Sequence, residues 1–236
     1  MNWAVDPDQA TLVKDSPMKV TYYFEVLSSW CHWAEPAWNE IKTRYAGRVE
    51  FQWRVALMNP ADFPKSRAEC DWYYRRSGGT TVRSPYMLSS AWLESERNGN
   101  YRAPNLVAEA GRDFIGEDDK LRTALAHAGL REGKKIGDMA VATDVGASVL
   151  HIAPAELRAR AESPEIRDRV EASTATFHAH QLAQRPSFIL ENPIGDKVVL
   201  SGLWVAAPLM AAIDAMLADA AAYASHRAHH GTPPIG

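Results

Sequence analysis

Cys31 lies in Leu27-Ser28-Ser29-Trp30-Cys31-His32-Trp33-Ala34-Glu35-Pro36, between a β-branched, aromatic run and a segment of helical spacing. A thiol at a strand-to-helix junction meets unpaired helix N–H groups and the positive end of the helix dipole, which favour thiolate over thiol. A reference cysteine titrates near pH ~8.5, and helix N-termini or neighbouring cations bring this down to roughly 3.5–7.5. The chemistry expected of Cys31 is therefore nucleophilic attack. His32 adds to it when protonated, and the Ser28 and Ser29 hydroxyls can donate to the sulfur or to a bound ligand. A redox Cys-x-x-Cys motif beginning here would end at position 34, which is Ala34, so Cys31 reads as a thiol working alone. Trp30 and Trp33 bracket it, as an apolar wall for a ligand or as core, with core favoured.

A second spot is Arg185-Pro186-Ser187-Phe188, a proline opening a strand. Proline there cannot donate to the ladder and is often at a cis bond, which would open the preceding carbonyl and amide to a ligand. Arg185 reads equally as a ligand for a carboxylate or as a surface arginine. Cys70, in an aromatic-rich helical pattern, reads as inert packing. The run Tyr73–Pro85 gathers arginines, hydroxyls and glycines. It suggests an anion pocket or a lid, but Gly78-Gly79 lacks the spacing and the preceding strand of a phosphate loop, so a solvated helix connection is favoured. The histidines at 226, 229 and 230 read as a frayed terminus rather than a metal site.

The elements that must position these residues follow from periodicity. Residues 18–27 are rich in β-branched and aromatic types, Trp33 to Tyr45 has helical spacing closed by Gly47, and 49–57 alternates strictly. That predicts a βαβ unit with parallel strands. Residues 58–182 show no convincing strand and predict five to seven helices: Arg67–Arg76 broken at Gly78-Gly79, Pro85–Arg97, Asn105–Phe114, Asp118–Ala128, Asp138–Val149, Ala155–Arg160 and Pro164–Leu182. Ser187–Glu191 and Lys197–Ser201 predict an antiparallel hairpin, and Pro208 opens a helix to about Ser225. Pro36 conflicts with a helix starting at Cys31, which calls for a kink or a tightened turn.

With 236 residues and 46% hydrophobic content the chain can bury a large core. A net charge of −3 gives no broad attraction to nucleic acid or anionic lipid. Two cysteines are too few for a disulfide scaffold, and neither a leader pattern nor a run of about 18 apolar residues is visible. A cytoplasmic protein without nucleic-acid or membrane partners is expected. The C-terminal alanine-rich helix could support a homodimer or pack on the core.

The two spots and the element order resemble the DsbA-like branch of the thioredoxin superfamily. The fold this implies is α/β: a thioredoxin core from 1–57 and 183–236, with a helical domain from 58–182 inserted. By that resemblance Cys31 is the nucleophile and Pro186 the cis-proline beside it. Without a second motif cysteine at Ala34, a mixed disulfide has to be resolved from outside. The first reading is thus a monothiol thiol–disulfide oxidoreductase or isomerase, catalytic at Cys31 and His32, lined by Ser28, Ser29, Trp30, Trp33, Arg185 and Pro186. Glutathione is its co-substrate, and no cofactor or metal is tightly held. The same branch includes kappa-class glutathione transferases and 2-hydroxychromene-2-carboxylate isomerases, which use a serine near this position to bind the glutathione thiolate. By that likeness Ser28 or Ser29 takes the part, and the substrate is a small electrophile. A third reading is a peptide-binding module without redox turnover, pairing an extended chain beside Pro186.

Overall fold

Successive side chains of a strand point to opposite faces, so a strand that is apolar at odd and even positions must lie between two layers. β1 (Met18–Phe24) is such a strand: Val20, Tyr22 and Phe24 join one buried cluster and Tyr23 another. A computed structural model describes residues 17–81 and 88–231. In it β2 (Val49–Val55) pairs parallel with β1, Met18 opposite Val49 and Phe24 opposite Val55. β3 (Ser187–Glu191) pairs antiparallel with the other side of β1, and β4 (Lys197–Ser201) follows at the edge, giving the order β2-β1-β3-β4.

α1 (Ser29–Arg44) and α8 (Ala206–His230) contribute Trp38, Ile41, Ile213 and Met216 to the cluster that holds Tyr22 and Phe188. The Tyr22 ring stacks on Phe188 at 4.9 Å and meets Trp38 at 5.1 Å. The Tyr45 hydroxyl donates to the Met210 carbonyl (3.2 Å) and to Asp214 (2.9 Å), tying the end of α1 to α8. The Leu209, Ile213 and Met216 stripe is buried, so the apolar face of α8 is used by the core. With 25 residues and an 18-residue stretch of mean hydropathy 1.2, α8 is long and apolar enough to cross a membrane by those measures. The second cluster joins Tyr23 to Ile189 and to Phe177 of α7 (Pro164–Ala179).

Among the described residues, six α-helices and no strand lie between β2 and β3. They are α2 (Arg67–Thr81), α3 (Ala103–Ile115), α4 (Lys120–Leu130), α5 (Met139–Leu150), α6 (Pro154–Ala161) and α7. Local chemistry sets their starts: Asp138 accepts from the Ala140 and Val141 N–H groups, and Ser163 caps α7 ahead of Pro164. Gly129 permits close packing of α4, since a Cβ there would lie 2.8 Å from Ile136 and 2.9 Å from Leu27. The whole is a thioredoxin fold with a helical insertion.

Several boundaries differ from expectation. β1 stops at Phe24, and α1 starts at Ser29 rather than near Trp33, because Ser28 supplies a cap. Pro36 lies inside α1, so the His32 carbonyl has no N–H four residues on. α2 runs through Gly78-Gly79 to Thr81, glycine in a helix costing only about 1 kcal/mol relative to alanine. The helix expected over Pro85–Arg97 is absent from its described part, where only Ser95–Arg97 forms a 3-10 turn. Tertiary partners take over that stretch: the Ser89 N–H donates to the Leu130 carbonyl, and Trp92 Nε1 donates to the Tyr74 hydroxyl at 2.6 Å. Residues 82–87, with Arg83 and Pro85, lie outside the described residues, as do 1–16 and 232–236. The histidine tail is not frayed: α8 continues to His230, and the His226 and His230 rings sit 4.6 Å apart.

Candidate active site at the start of α1

The chain leaves β1 through a turn held by Glu25. Its Oε2 accepts from the Leu27 N–H (2.8 Å), its carbonyl accepts from the Ser28 N–H (3.1 Å), and its Oε1 accepts from Asn105 of α3 (2.5 Å). Asn105 also accepts from the Val26 N–H at 3.1 Å, so α3 locks the approach to α1. Ser28 then caps the helix, its Oγ accepting from the Cys31 N–H at 3.4 Å and its carbonyl from the His32 N–H at 3.0 Å. Among the described residues the N–H groups of Ser29 and Trp30 have no protein acceptor, as the first turn of a helix dictates.

Ser28, Ser29 and Trp30 line a cleft of ≈ 480 Å³. Phe63, Tyr74 and Trp92 form its aromatic wall with Cys70 among them, and Gln184 and Arg185 enter from the loop before β3. The Arg185–Pro186 bond is cis, with Pro186 buried and its carbonyl accepting from the Gly202 N–H at 2.8 Å. Of the residues expected at the site, the cleft therefore gathers Ser28, Ser29, Trp30 and Arg185, with Pro186 behind Arg185.

Cys31 does not line the cleft. It is 3% exposed, and burial pushes its thiol up to about 11, although hydrogen bonds from Ser28 and Tyr22 act the other way. Cys31 is the third residue of α1, within the first turn where the dipole favours a thiolate, and burial opposes that effect. His32 does not help it. Its Nε2 accepts from Arg131 at 3.1 Å, and burial, then Arg131 and His127, lower its pKa to about 4, so it is a neutral ring at pH 7. Trp33 is buried, as the core reading expected, under the Arg131 guanidinium at 5.1 Å.

Arg185 is neither a surface residue nor a free ligand for a carboxylate. It donates to the backbone carbonyls of Ala56 (2.7 Å), Ala183 (3.3 Å) and Leu57, with its guanidinium 4.6 Å over the Phe177 ring. Cys70 is buried, and burial pushes its thiol up to about 11. It nonetheless lines the cleft, which the sequence reading did not anticipate. The position that caps the helix and faces the cleft is Ser28, and the position one turn inside is Cys31.

Glu25 is the residue that sequence reasoning missed, and a lone acid ending an apolar run was the available signal. It is 1% exposed, and burial raises its carboxyl from 4.5 to about 7 against the lowering effect of Asn105 and the Leu27 N–H. Between those two values the folded protein holds a proton that the unfolded chain releases. Stability therefore falls as pH rises from about 4.5 to about 7, by on the order of 3 kcal/mol. Urea unfolding across that window measures the slope, and Glu25→Gln should flatten it; a slope that survives the substitution assigns the effect to another group.

The fold and cleft define a DsbA-like thioredoxin architecture. Solved structures with this fold include a cytosolic disulfide reductase, DsbM, from Pseudomonas aeruginosa (TM-score 0.64, 18% identity, 88% of this chain and 98% of that one). A candidate protein disulfide isomerase from Nitrosomonas europaea has TM-score 0.68 at 16% identity, over 86% of this chain and 99% of that one. DsbM is also solved with GSH (TM-score 0.58, 17% identity, 88% of this chain and 99% of that one). No protein-family model and no curated protein sequence matches the chain.

Proposed function

We propose that this protein is a glutathione-dependent enzyme whose nucleophile is the thiolate of bound glutathione rather than Cys31. The observation that carries this reading is the placement of Ser28 at the cap of α1 on the cleft, with Cys31 buried one turn behind. The Ser28 hydroxyl and the N–H groups of Ser29 and Trp30 hold the thiolate, where donors and helix dipole favour negative charge. The aromatic wall takes the apolar part of a small electrophile. With a carbon electrophile, an S–C bond forms and the leaving group departs with its electron pair. With a disulfide, an S–S bond forms and one thiolate leaves; a second glutathione then releases the other, the two glutathiones supplying both electrons. A reducing compartment, the cytoplasm, suits such a co-substrate.

The test is turnover of glutathione with 1-chloro-2,4-dinitrobenzene and, separately, with hydroxyethyl disulfide. Cys31→Ser should retain activity with both. Loss of activity in a folded Cys31→Ser protein would instead support the second reading, a monothiol oxidoreductase. That reading is favoured by the disulfide reductase among the structures of like fold and by the hydrogen bonds that reach Cys31 from Ser28 and Tyr22. No turnover with either substrate would leave the peptide-binding module.

Alkylation separates the first two readings directly. With its thiol at about 11, Cys31 is only about 0.1% thiolate at pH 8, so iodoacetamide should label it slowly in the native protein and faster only towards that pH. Rapid labelling at pH 7 would restore Cys31 as the nucleophile.

A further inference from the structure

α2 forms the cleft wall facing the start of α1, and Tyr73 and Arg76, one helical turn apart, both line the cleft. Arg76 is exposed, and its guanidinium lies over two rings at once, 5.4 Å from the Trp72 centroid and 5.1 Å from that of Tyr73. A guanidinium held over ring faces keeps N–H donors for the fork that matches a carboxylate. Trp72 is 56% exposed, so it adds little to the core; its contacts here are with Tyr73 and Arg76.

The other arginines described near the core are engaged. Arg122 pairs with Glu35 and Asp119, Arg112 with Glu109 and Glu117, and Arg185 with three carbonyls. Among the described residues no carboxylate lies within ion-pair distance of Arg76. A preorganised guanidinium, held over a cleft that begins at Ser28 and without an acidic partner among these residues, has the form of a ligand contact.

We propose that Arg76 binds a carboxylate of the thiol co-substrate at the mouth of the cleft, an inference that rests on the glutathione reading above. Asp62, across the cleft on the turn before α2, carries the opposite charge on the same lining. A tripeptide thiol with carboxylates and one ammonium matches that pair of charges better than a neutral thiol does. Arg76 is thus the residue that makes the site prefer glutathione over a simple thiol.

Calorimetric titration of the full chain with glutathione, and with glutathione diethyl ester, tests this without requiring turnover. Arg76→Ala should weaken glutathione binding by about 10- to 100-fold, as expected for a charge-assisted hydrogen-bonded contact, and Arg76→Lys should recover part of it. The diethyl ester, whose carboxylates are masked, should bind wild type and Arg76→Ala alike. Equal glutathione affinity in Arg76→Ala and wild type, with unchanged thermal unfolding, overturns the proposal, as does an equal loss for the ester. Arg76-dependent binding without turnover would remove the proposed function and keep the carboxylate contact. Absence of glutathione binding in the wild type would remove both.

Discussion

Ser28→Ala is expected to lower glutathione-dependent turnover by about 100-fold or more, the scale seen when one preorganised donor to a reacting anion is removed. The effect follows from position: Ser28 is the one hydroxyl that both caps α1 and lines the cleft. Removing it takes a donor from the bound thiolate and leaves the Ser29 and Trp30 N–H groups in place, so the loss is large and incomplete. A spectroscopic readout separates chemistry from folding, because the thiolate absorbance of bound glutathione should titrate at higher pH in Ser28→Ala. The cap has its own cost. The Cys31 N–H loses its acceptor at 3.4 Å, and stability should drop by about 1 kcal/mol in urea unfolding. Full activity in Ser28→Ala would refute the role given to this residue.

The reciprocal change sharpens the point. Ser28→Cys would place two thiols at the spacing of a redox motif, one facing the cleft and one buried behind it. Such a variant should oxidise to an internal disulfide, seen as the loss of two hydrogens in intact mass. A pair that stays reduced under oxidised glutathione would mean that the start of α1 does not bring the two side chains together.

Arg122→Ala has the largest expected effect on stability, a loss of about 3 kcal/mol in urea unfolding, because it removes a buried cation shared by two half-buried carboxylates. The Arg122 side chain is 2% exposed, bridging Glu35 of α1 (2.5 Å) and Asp119 before α4 (2.6 Å). Its guanidinium also lies over the Phe24 ring at 4.9 Å and the Tyr22 ring at 5.3 Å. Asp119 in turn accepts from Trp38 Nε1 at 3.1 Å and pairs with Lys42, so one cation joins β1, α1 and α4 beneath the candidate site. Removing it alone leaves Glu35 without its cation and Asp119 with Lys42 and Trp38 only. Removing Glu35 as well, in Arg122→Met with Glu35→Gln, should cost less than the single change, since one stranded charge disappears with it. A single-variant loss below about 1 kcal/mol would show the network to be solvated.

The parts legible in the sequence were those that depend on neighbours along the chain. Ser187–Glu191 and Lys197–Ser201 are strands where expected, because short apolar runs on either side of Asn192-Pro193 and Gly195 have few alternatives. The parallel pairing of β1 with β2 followed from a helix between two strands, and the cis bond before Pro186 from a proline opening a strand. The failures share a cause. Leu88 to Leu93 carries a helical apolar pattern, yet Trp92 is held by Tyr74, and the Ser89 N–H by Leu130, across the fold. Arg185 reads equally as a carboxylate ligand or a surface residue until the carbonyls of Ala56 and Leu57 are brought to it from the end of β2.

The start of α1 shows the division most plainly. By itself the sequence determined the strand-to-helix junction with its serines and lone cysteine and the distant strand-opening proline, because periodicity and turn chemistry are local properties. Only the tertiary structure decided which residue at that junction faces the cleft. Capping by Ser28 sets the register of α1, and that register places Cys31 against the buried Tyr22 and Glu25, where the low dielectric holds it as a thiol. Burial is a property of what packs from elsewhere in the chain, and it sets Cys31 behind the cleft that Ser28, three residues before it, lines.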